Sequence, residues 1–192
     1  MAMVETTSDA SQSRRFQAMY RAHYEQVYIY FKRRTDIESA RDGTADTFLV
    51  AWRRLDDVPD GDGTLPWLYG TARRVLSNQW RSRRRSDSLR DRLFSLRSTE
   101  HVPGPEAAVV SEPHIEAVTA ALEQLRDPDR EVIRLAEWEG LSHREIGVVM
   151  ECSTHAVDQR MHRALRRLAG RLERDSGFQF PVAEAEGHGG VA

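Results

Sequence analysis

Polar and basic side chains recur at helical spacing near the C-terminus, where the sequence predicts a long helix. Hydroxyl, imidazole, amide and carboxylate groups on one helix face suit hydrogen bonding to base edges in a major groove, and guanidinium groups suit phosphates. The predicted base-edge readers are Thr154, His155, Asp158, Gln159, His162 and Arg163, and the predicted phosphate ligands are Arg160, Arg166 and Arg167. This pattern indicates DNA binding. The alternative is an ordinary helical hairpin in an all-α bundle.

A second group of chemically distinctive residues lies in the N-terminal half, where aromatic and basic side chains alternate. They are Trp67, Tyr69 and Trp80, interleaved with Arg73, Arg74 and Arg81. Bases of single-stranded nucleic acid stack on aromatic rings while cations follow the backbone. The pattern therefore indicates a single-strand binding surface. For either tryptophan taken singly, a core or boundary position is the simpler interpretation.

The basic face needs a support, and the preceding residues predict one. Ser142 and Glu145 have the spacing of a capping box, which starts a short helix through Met150. A tight connection over residues 151–153 leads into the last helix, which Ser153 caps and which runs to about Arg174. This is a helix-turn-helix pattern. The two helices are expected to pack through Ile146 and Met150 against Val157 and Met161.

The remaining elements are also predicted to be helices. Apolar residues recur at three- and four-residue steps from Phe16, and again over Ile37–Leu55. Breakers over residues 57–64 predict a loop, and a long helix follows from about Pro66. In the C-terminal half a helix around Ile115 precedes one that opens at Asp127-Pro128, with Asp127 as its cap, and closes at Gly140. The predicted fold class is all-α, with two small helical domains.

The domain boundaries follow from composition. Residues 1–13 are polar and predicted to be disordered, and residues 98–113 contain three prolines and a glycine, as in a linker. The predicted domains are therefore residues 14–97 and 114–174, with a disordered tail over 175–192. No segment has the length and apolarity of a membrane helix or a signal peptide, and the single cysteine fits a reducing compartment. These features predict a cytoplasmic protein without membrane insertion.

The formal net charge of −2 conceals a strong separation along the chain. Residues 71–97 hold nine arginines against two aspartates, and residues 155–171 hold five against one. Two separate basic segments are the electrostatic footprint expected for a phosphate backbone. The alternative is a pair of solvated helix faces.

Five sequence motifs resemble regions 2 and 4 of bacterial sigma factors, and those of region 2 precede those of region 4. The first two, Asp42-x-x-x-Asp46-Thr47-Phe48-x-x-Ala51-Trp52 and Pro66-Trp67-Leu68-Tyr69-x-x-Ala72-Arg73, resemble region 2. The others, Glu139-Gly140-Leu141-Ser142-x-x-Glu145-Ile146 and Val157-x-x-Arg160-x-His162-Arg163-Ala164-x-Arg166-Arg167-Leu168, resemble region 4, as does Leu125-x-x-x-Asp129-Arg130-Glu131-Val132. With both regions present and no room for others, the chain is similar to the extracytoplasmic-function sigma factors.

The resemblance implies a dissociable subunit of bacterial RNA polymerase that binds promoter DNA. It implies docking on core polymerase through Asp42, Asp46, Phe48 and Trp52. The recognition helix would read the −35 element. The −10 element would be opened and held by Asp60, Gly61, Asp62, Gly63, Thr64, Trp67, Arg73, Arg74, Asn78 and Arg81. An anti-sigma factor that covers the polymerase-binding surfaces is a further expected partner.

Three sites in the chain depart from the family pattern. Ala45-Asp46 stands where Gln-Glu is usual in the docking helix, which predicts weaker polymerase affinity. Glu151 occupies the turn position that usually holds glycine, which predicts a strained turn. Asp158 stands where Arg or Lys is common, and its carboxylate can accept a hydrogen bond from cytosine N4. We therefore expect an unusual −35 preference.

No residue pattern indicates an enzyme, a cofactor or a metal site. The carboxylates of residues 56–62 lack a neighbouring histidine, and Cys152 near three histidines is better explained as a small turn residue than as a zinc ligand. Two alternatives to a promoter-recognition subunit remain. One is an autonomous DNA-binding regulator that uses only residues 114–174, and the other is a partner-binding module that has lost polymerase docking. Transcription with core polymerase distinguishes the three.

Overall fold

A computed structural model describes residues 2–93 and 113–176, and every regular element in these ranges is helical. Two single 3₁₀ turns, Leu55–Asp57 and Gly61–Gly63, lie in the segment between α2 and α3. The all-α prediction is confirmed. The α-helices are α1 (Ala2–Lys32), α2 (Ile37–Arg53), α3 (Thr64–Leu93), α4 (Pro113–Glu123), α5 (Asp127–Glu137), α6 (His143–Met150) and α7 (Thr154–Ser176).

Helices α1, α2 and α3 form the N-terminal unit around a buried apolar core. Its fully buried side chains include Val27, Tyr30 and Phe31 of α1 and Leu68 of α3. Helix α2 approaches α1 so closely at Gly43 that a Cβ there would lie 2.4 Å from the Phe31 ring. Glycine is therefore required at this crossing, because a larger residue would push the ring out of its place.

The start of α2 is fixed by Asp36. Its carboxylate accepts a hydrogen bond from the backbone N–H of Ser39 at 2.8 Å and also accepts from the Ser39 hydroxyl. These hydrogen bonds favour the ionised form and lower the pKa of Asp36 to about 2. The cap thus satisfies a backbone donor that the first helical turn would leave unpaired.

Replacing Asp36 with alanine is expected to lower the free energy of unfolding by about 0.5–2 kcal/mol at pH 7. Because the folded-state pKa is lowered, the stabilisation is complete above about pH 4, the region of the unfolded pKa, and is lost as the pH falls toward 2. Denaturant unfolding of both proteins between pH 7 and 2 measures this difference. Asp56→Ala, an exposed aspartate in the 3₁₀ turn, is the matched control, and a difference independent of pH would contradict the prediction.

Helices α4 to α7 form the C-terminal unit. Val132 and Leu135 of α5, Ile146 and Val149 of α6, and Val157 of α7 are buried against one another. Ser142 and Glu145 form the predicted capping box, and Ser153 Oγ accepts from the backbone N–H of Ala156 at 3.2 Å. The predicted packing of Ile146 and Met150 on Val157 and Met161 is present in this core.

Several boundaries differ from the sequence-based expectation. Helix α1 includes residues 2–13, which are polar but contain neither glycine nor proline and so can extend a helix. Helix α3 begins at Thr64 rather than Pro66. Asp127 is the first residue of α5 rather than its cap, and the capping position is Arg126, which makes no side-chain cap. The predicted linker, apart from Pro113, and the predicted tail beyond residue 176 lie outside the described residues.

The two units pack against each other. Buried residues of both contribute to one continuous apolar cluster, and α3 of the first unit lies along α6 of the second. At Gly70 of α3, a Cβ would meet the backbone of Val149 at 3.6 Å, so small size at this position permits a close crossing of the two helices. This contact joins residues far apart in sequence, and no local pattern predicts it.

Candidate nucleic-acid interface

Helix α7 turns its apolar residues inward and its polar residues outward. Val157, Met161 and Ala164 are buried, so the opposite face is open to solvent. Arg160 is half-buried at its edge. Arg167 is exposed but paired with Asp129 of α5, which makes it less available to a phosphate than its neighbours. Of the predicted site residues on α7, those that are exposed are Thr154, His155, Asp158, Gln159, His162, Arg163, Arg166 and Arg167.

The turn between α6 and α7 is tight for two reasons. Glu151 adopts the left-handed conformation, with φ 55° and ψ 46°, and is the only non-glycine residue with positive φ among the described residues. Gly147 lies so close to the turn that a Cβ would be 2.8 Å from the carbonyl oxygen of Cys152. The strain predicted at Glu151 is therefore present. The sequence pattern did not reveal that the turn also needs a residue without a side chain at Gly147.

Replacing Glu151 with glycine is expected to give a more stable protein than replacing it with alanine, by about 1 kcal/mol. Both variants lose the exposed ion pair with Arg74, so their difference isolates the left-handed backbone. Thermal or denaturant unfolding measures the difference. Equal stability of the two variants would mean that the left-handed conformation carries no cost.

Two side-chain pairs order the exposed face of α7. His143, the first residue of α6, contacts the Asp158 carboxylate through Nδ1 at 2.5 Å. One turn of α7 is bridged by Gln159 Nε2 and His155 Nε2, 2.8 Å apart. The first pair connects the two helices of the helix-turn-helix, and His143 was not among the predicted site residues. Its only signal in the sequence was its position directly after the Ser142 cap.

The segment predicted to contact the −10 element is more ordered than a flexible loop. Arg15 of α1 pairs with Asp60 at 2.8 Å and donates to the carbonyl oxygens of Leu55 and Val58. The Thr64 hydroxyl donates to the carbonyl of Pro59 at 2.7 Å, and Thr64 is buried. Gly61, Asp62 and Gly63 form a 3₁₀ turn, and the positive φ of 62° at Gly61 favours glycine. Asp60, Gly61 and Asp62 are exposed.

The predicted −10 residues of α3 divide into two groups. Asn78 and Arg81 are exposed and hydrogen-bonded to each other at 2.7 Å. Trp67 and Arg73 are half-buried, and Arg74 is paired with Glu151 of the C-terminal unit. Helix α6 thus lies beside part of the surface that would hold single-stranded DNA.

A buried ion-pair network fastens the two units together. Arg34, two residues after α1 ends, has no exposed side-chain area and pairs with Glu131 of α5 at 3.2 Å and with Glu139 at 2.8 Å. Its guanidinium carbon lies 3.7 Å from the Tyr30 ring centre, and the Tyr30 hydroxyl donates to Glu131 at 2.9 Å. Arg33, which is partly exposed, forms a further ion pair with Glu139 at the edge of this network.

The charges in this network depend on one another. Burial lowers the pKa of Arg34 and is the largest single influence, but the Glu131 and Glu139 carboxylates act in the opposite direction and the pKa is raised. Burial, followed by the charge of Glu131, raises the pKa of Tyr30 well above its ordinary value. Arg34 therefore stays charged and Tyr30 stays neutral across the physiological range.

The residues predicted to dock on polymerase lie on α2. Asp42, Asp46 and Trp52 are exposed, whereas Phe48 is only 2% exposed and lies beneath the rings of Phe16 and Tyr20. Phe48 supports this surface from below. Two exposed apolar residues extend it, Leu49 on α2 and Tyr20 on α1, and neither was predicted. Leu49 could have been found, since it continues the spacing of Asp42 and Asp46.

Across the described helices, none has the length and apolarity needed to cross a membrane.

Comparison with known families agrees with this geometry. The family model described as Sigma-70 region 2 matches residues 19–86, and the model described as Sigma-70 region 4 matches residues 115–168. Together they cover more than half of the chain. The chain belongs to the sigma-70 family. The resemblance to sigma regions 2 and 4 that the motifs carried is therefore confirmed.

Individual relatives are consistent with this assignment. The sigma factor is similar to RNA polymerase sigma factor NccH of Alcaligenes xylosoxydans xylosoxydans, with 33% identity over 134 residues, 67% of this chain and 70% of the relative. It is also similar to the ECF RNA polymerase sigma-E factor of Escherichia coli strain K12, with 29% identity over 139 residues, 69% of this chain and 73% of that one. It is thus an extracytoplasmic-function sigma factor, which directs promoter-specific transcription initiation.

A solved structure supports the fold of this sigma factor. The sigma factor RpoE in complex with the anti-sigma factor NepR, from Bartonella quintana, superposes with a TM-score of 0.60 at 23% identity, covering 83% of this chain and 98% of that one. At this identity the likeness concerns the fold. Sigma factors are initiation factors rather than enzymes, and they act on RNA polymerase in the cell interior.

Proposed function

We propose that this sigma factor divides promoter recognition between two surfaces, one in each unit. The exposed face of α7 reads the −35 element, with Thr154, His155, Asp158, Gln159, His162 and Arg163 toward bases and Arg160, Arg166 and Arg167 toward phosphates. The single observation that carries this assignment is the amphipathic α7, whose buried Val157 and Met161 leave the whole polar face open. The C-terminal recognition domain comprises residues 114–174.

The −10 element is held by the N-terminal domain, residues 14–97. The exposed turn over residues 60–63 takes the flipped base, since Gly61 and Gly63 let DNA approach the backbone and Arg15 holds the turn in place. Thr64 and Trp67 begin α3, which then carries the single strand along Arg73, Arg74, Asn78 and Arg81. Arg74 becomes available only when its pair with Glu151 opens.

Core polymerase docks on the exposed stripe of α2. Asp42 and Asp46 present carboxylates, Trp52 and Leu49 present apolar surface, and Phe48 supports them from the core. A half-exposed tryptophan among charged neighbours has the composition of an interface anchor. The protein has no catalytic role of its own and works in the cytoplasm, where polymerase and promoter are found.

An anti-sigma factor is the regulatory partner that we propose. The solved RpoE structure is a complex with the anti-sigma factor NepR, and a second structural neighbour is CnrH in complex with the cytosolic domain of CnrY. In this chain the exposed aromatic and apolar side chains of α1 and α2, including Tyr20, Leu49 and Trp52, offer a surface that such a partner would cover. Covering it would block polymerase docking.

Run-off transcription with the full chain and core polymerase tests the division of roles. On a template with an intact −35 element, Arg163→Ala/Arg166→Ala is expected to lower initiation, whereas on a template with a scrambled −35 element it should change little. Arg21→Ala/Arg41→Ala, which removes two exposed arginines of the N-terminal unit, is the charge-matched control. For this control, the ratio of initiation on the intact template to initiation on the scrambled template should equal the wild-type ratio.

Other outcomes favour the alternatives. DNA binding without any polymerase-dependent initiation would support an autonomous regulator that uses residues 114–174 alone. Stable binding to a protein partner, without initiation or DNA binding, would support a module that has lost polymerase docking.

A further inference from the structure

The recognition face of α7 contains one acidic residue, and that residue is held by another helix. Asp158 follows the buried Val157, is exposed over 52% of its side chain, and has its Oδ1 2.5 Å from Nδ1 of His143. His143 is 43% exposed and is the first residue of α6. The pair therefore spans the two helices of the helix-turn-helix on the side that faces solvent.

The choice of histidine as partner determines what remains free on Asp158. An ionised carboxylate only accepts hydrogen bonds, so the hydrogen of the contact is assigned to Nδ1 of His143. That contact occupies Oδ1 and leaves Oδ2 able to accept a second hydrogen bond. A bidentate arginine would have occupied both oxygens. The carboxylate is thus restrained by one oxygen and keeps the other as an acceptor.

A carboxylate on the face that meets DNA is unfavourable unless an attractive contact compensates for its repulsion of the phosphates. Arg160, Arg166 and Arg167 lie on the same helix and are suited to phosphates, and phosphates repel the Asp158 carboxylate. In the major groove the group that attracts a carboxylate is an exocyclic amine, and cytosine N4 is the usual partner of Asp or Glu. A fixed rotamer favours that contact, because no side-chain freedom is lost when DNA binds.

We propose that His143 is a positioning residue that aims the Asp158 carboxylate at the N4 amine of one cytosine in the −35 element. The inference rests on the proposed −35 reading by α7 and adds a residue of α6 to the specificity determinants. His143 itself reads no base. It acts through Asp158, and the first helix of the motif thereby contributes to sequence choice as well as to packing.

The experiment is a selection of initiating promoters from a library with a randomised −35 element, using the full chain with core polymerase. We expect wild type to prefer cytosine at one position by about tenfold, and Asp158→Ala to reduce that preference to less than about twofold. His143→Ala should reduce the preference at the same position and at no other. His143→Asn should retain it, because the amide nitrogen of asparagine can replace Nδ1 as the donor.

Two controls separate positioning from general support of the fold. Arg144→Ala changes the exposed neighbour of His143 and should leave every base preference unchanged. The double variant His143→Ala/Asp158→Ala should behave like Asp158→Ala alone, since the two residues act as one unit.

Several results would overturn the proposal. An unchanged base profile for His143→Ala, with an altered one for Asp158→Ala, would show that the carboxylate needs no positioning. If His143→Ala lost initiation equally at all promoters, His143 would support only the fold. A preference for adenine instead of cytosine at the affected position would refute the assigned base. Failure of the wild type to initiate at any promoter would instead refute the proposed function.

Discussion

Replacing Arg34 with alanine is expected to lower the free energy of unfolding by about 3–5 kcal/mol. The side chains of Arg34, Glu131 and Glu139 are 0%, 14% and 2% exposed. Removal of the cation therefore leaves two enclosed carboxylates whose remaining partners are the Tyr30 hydroxyl for Glu131 and Arg33 for Glu139. Their ion pairs connect α1 to the C-terminal unit. Denaturant unfolding followed by circular dichroism measures the loss.

The controls for Arg34 separate burial from charge. Arg54→Ala removes an exposed pair with Asp57, in which both side chains are 56% exposed, and should cost less than about 1 kcal/mol. The triple variant Arg34→Met/Glu131→Gln/Glu139→Gln removes all three charges together and should be much less destabilised than Arg34→Ala. If Arg34→Ala unfolds like Arg54→Ala, the buried network does not hold the two units together.

The same variant has a second expected effect, on DNA. Arg34 holds the arrangement in which Arg74 pairs with Glu151 and α6 lies beside α3. Loosening the two units should therefore raise the affinity of the free sigma factor for a single-stranded −10 oligonucleotide. Fluorescence anisotropy measures this affinity, and Arg54→Ala should leave it unchanged.

Replacing Trp52 with alanine is expected to weaken binding to core polymerase by about 30-fold or more, corresponding to about 2 kcal/mol. The indole is 40% exposed and packs edge-on against Phe16 with 5.1 Å between ring centres, so it is ordered before a partner arrives. An ordered aromatic side chain loses little entropy on binding. Competition binding against a labelled sigma factor measures the affinity.

Trp52→Phe is the matched variant, because it keeps an aromatic ring in contact with Phe16 and should recover most of the affinity. Asp56→Ala, at an exposed position beyond the end of α2, should have little effect. Affinity unchanged by Trp52→Ala, in a variant whose circular dichroism is that of the wild type, would remove Trp52 from the docking surface.

Local sequence patterns were sufficient for the elements of the helix-turn-helix. The capping box at Ser142 and Glu145 and the Ser153 cap are interactions between residues three apart, so the sequence contains all the atoms involved. The apolar spacing of Val157 and Met161 likewise determines which face of α7 is buried. The cap predicted at Asp127 was wrong, because proline near the start of a helix fits a cap at either Arg126 or Asp127.

The candidate surfaces were predicted less completely than the helices. The sequence placed Phe48 among the docking residues, but helical spacing alone does not tell an exposed aromatic ring from one covered by a neighbouring helix, and α1 covers it. His143 and Arg15 were not identified, since each acts on a residue that is distant in sequence and near only after folding.

By itself, the sequence determined the all-α fold class, the caps of α6 and α7, the polar face of α7 and membership of the sigma-70 family. These properties depend on residues within a few turns of one another and on motifs read in order. Only the tertiary structure decided that Arg34 lies buried between Glu131 and Glu139, that Gly70 meets Val149, and that α6 lies along α3. Such contacts join segments far apart in the chain, and their partners are selected by how two complete surfaces fit and by the cost of burying charge without a partner.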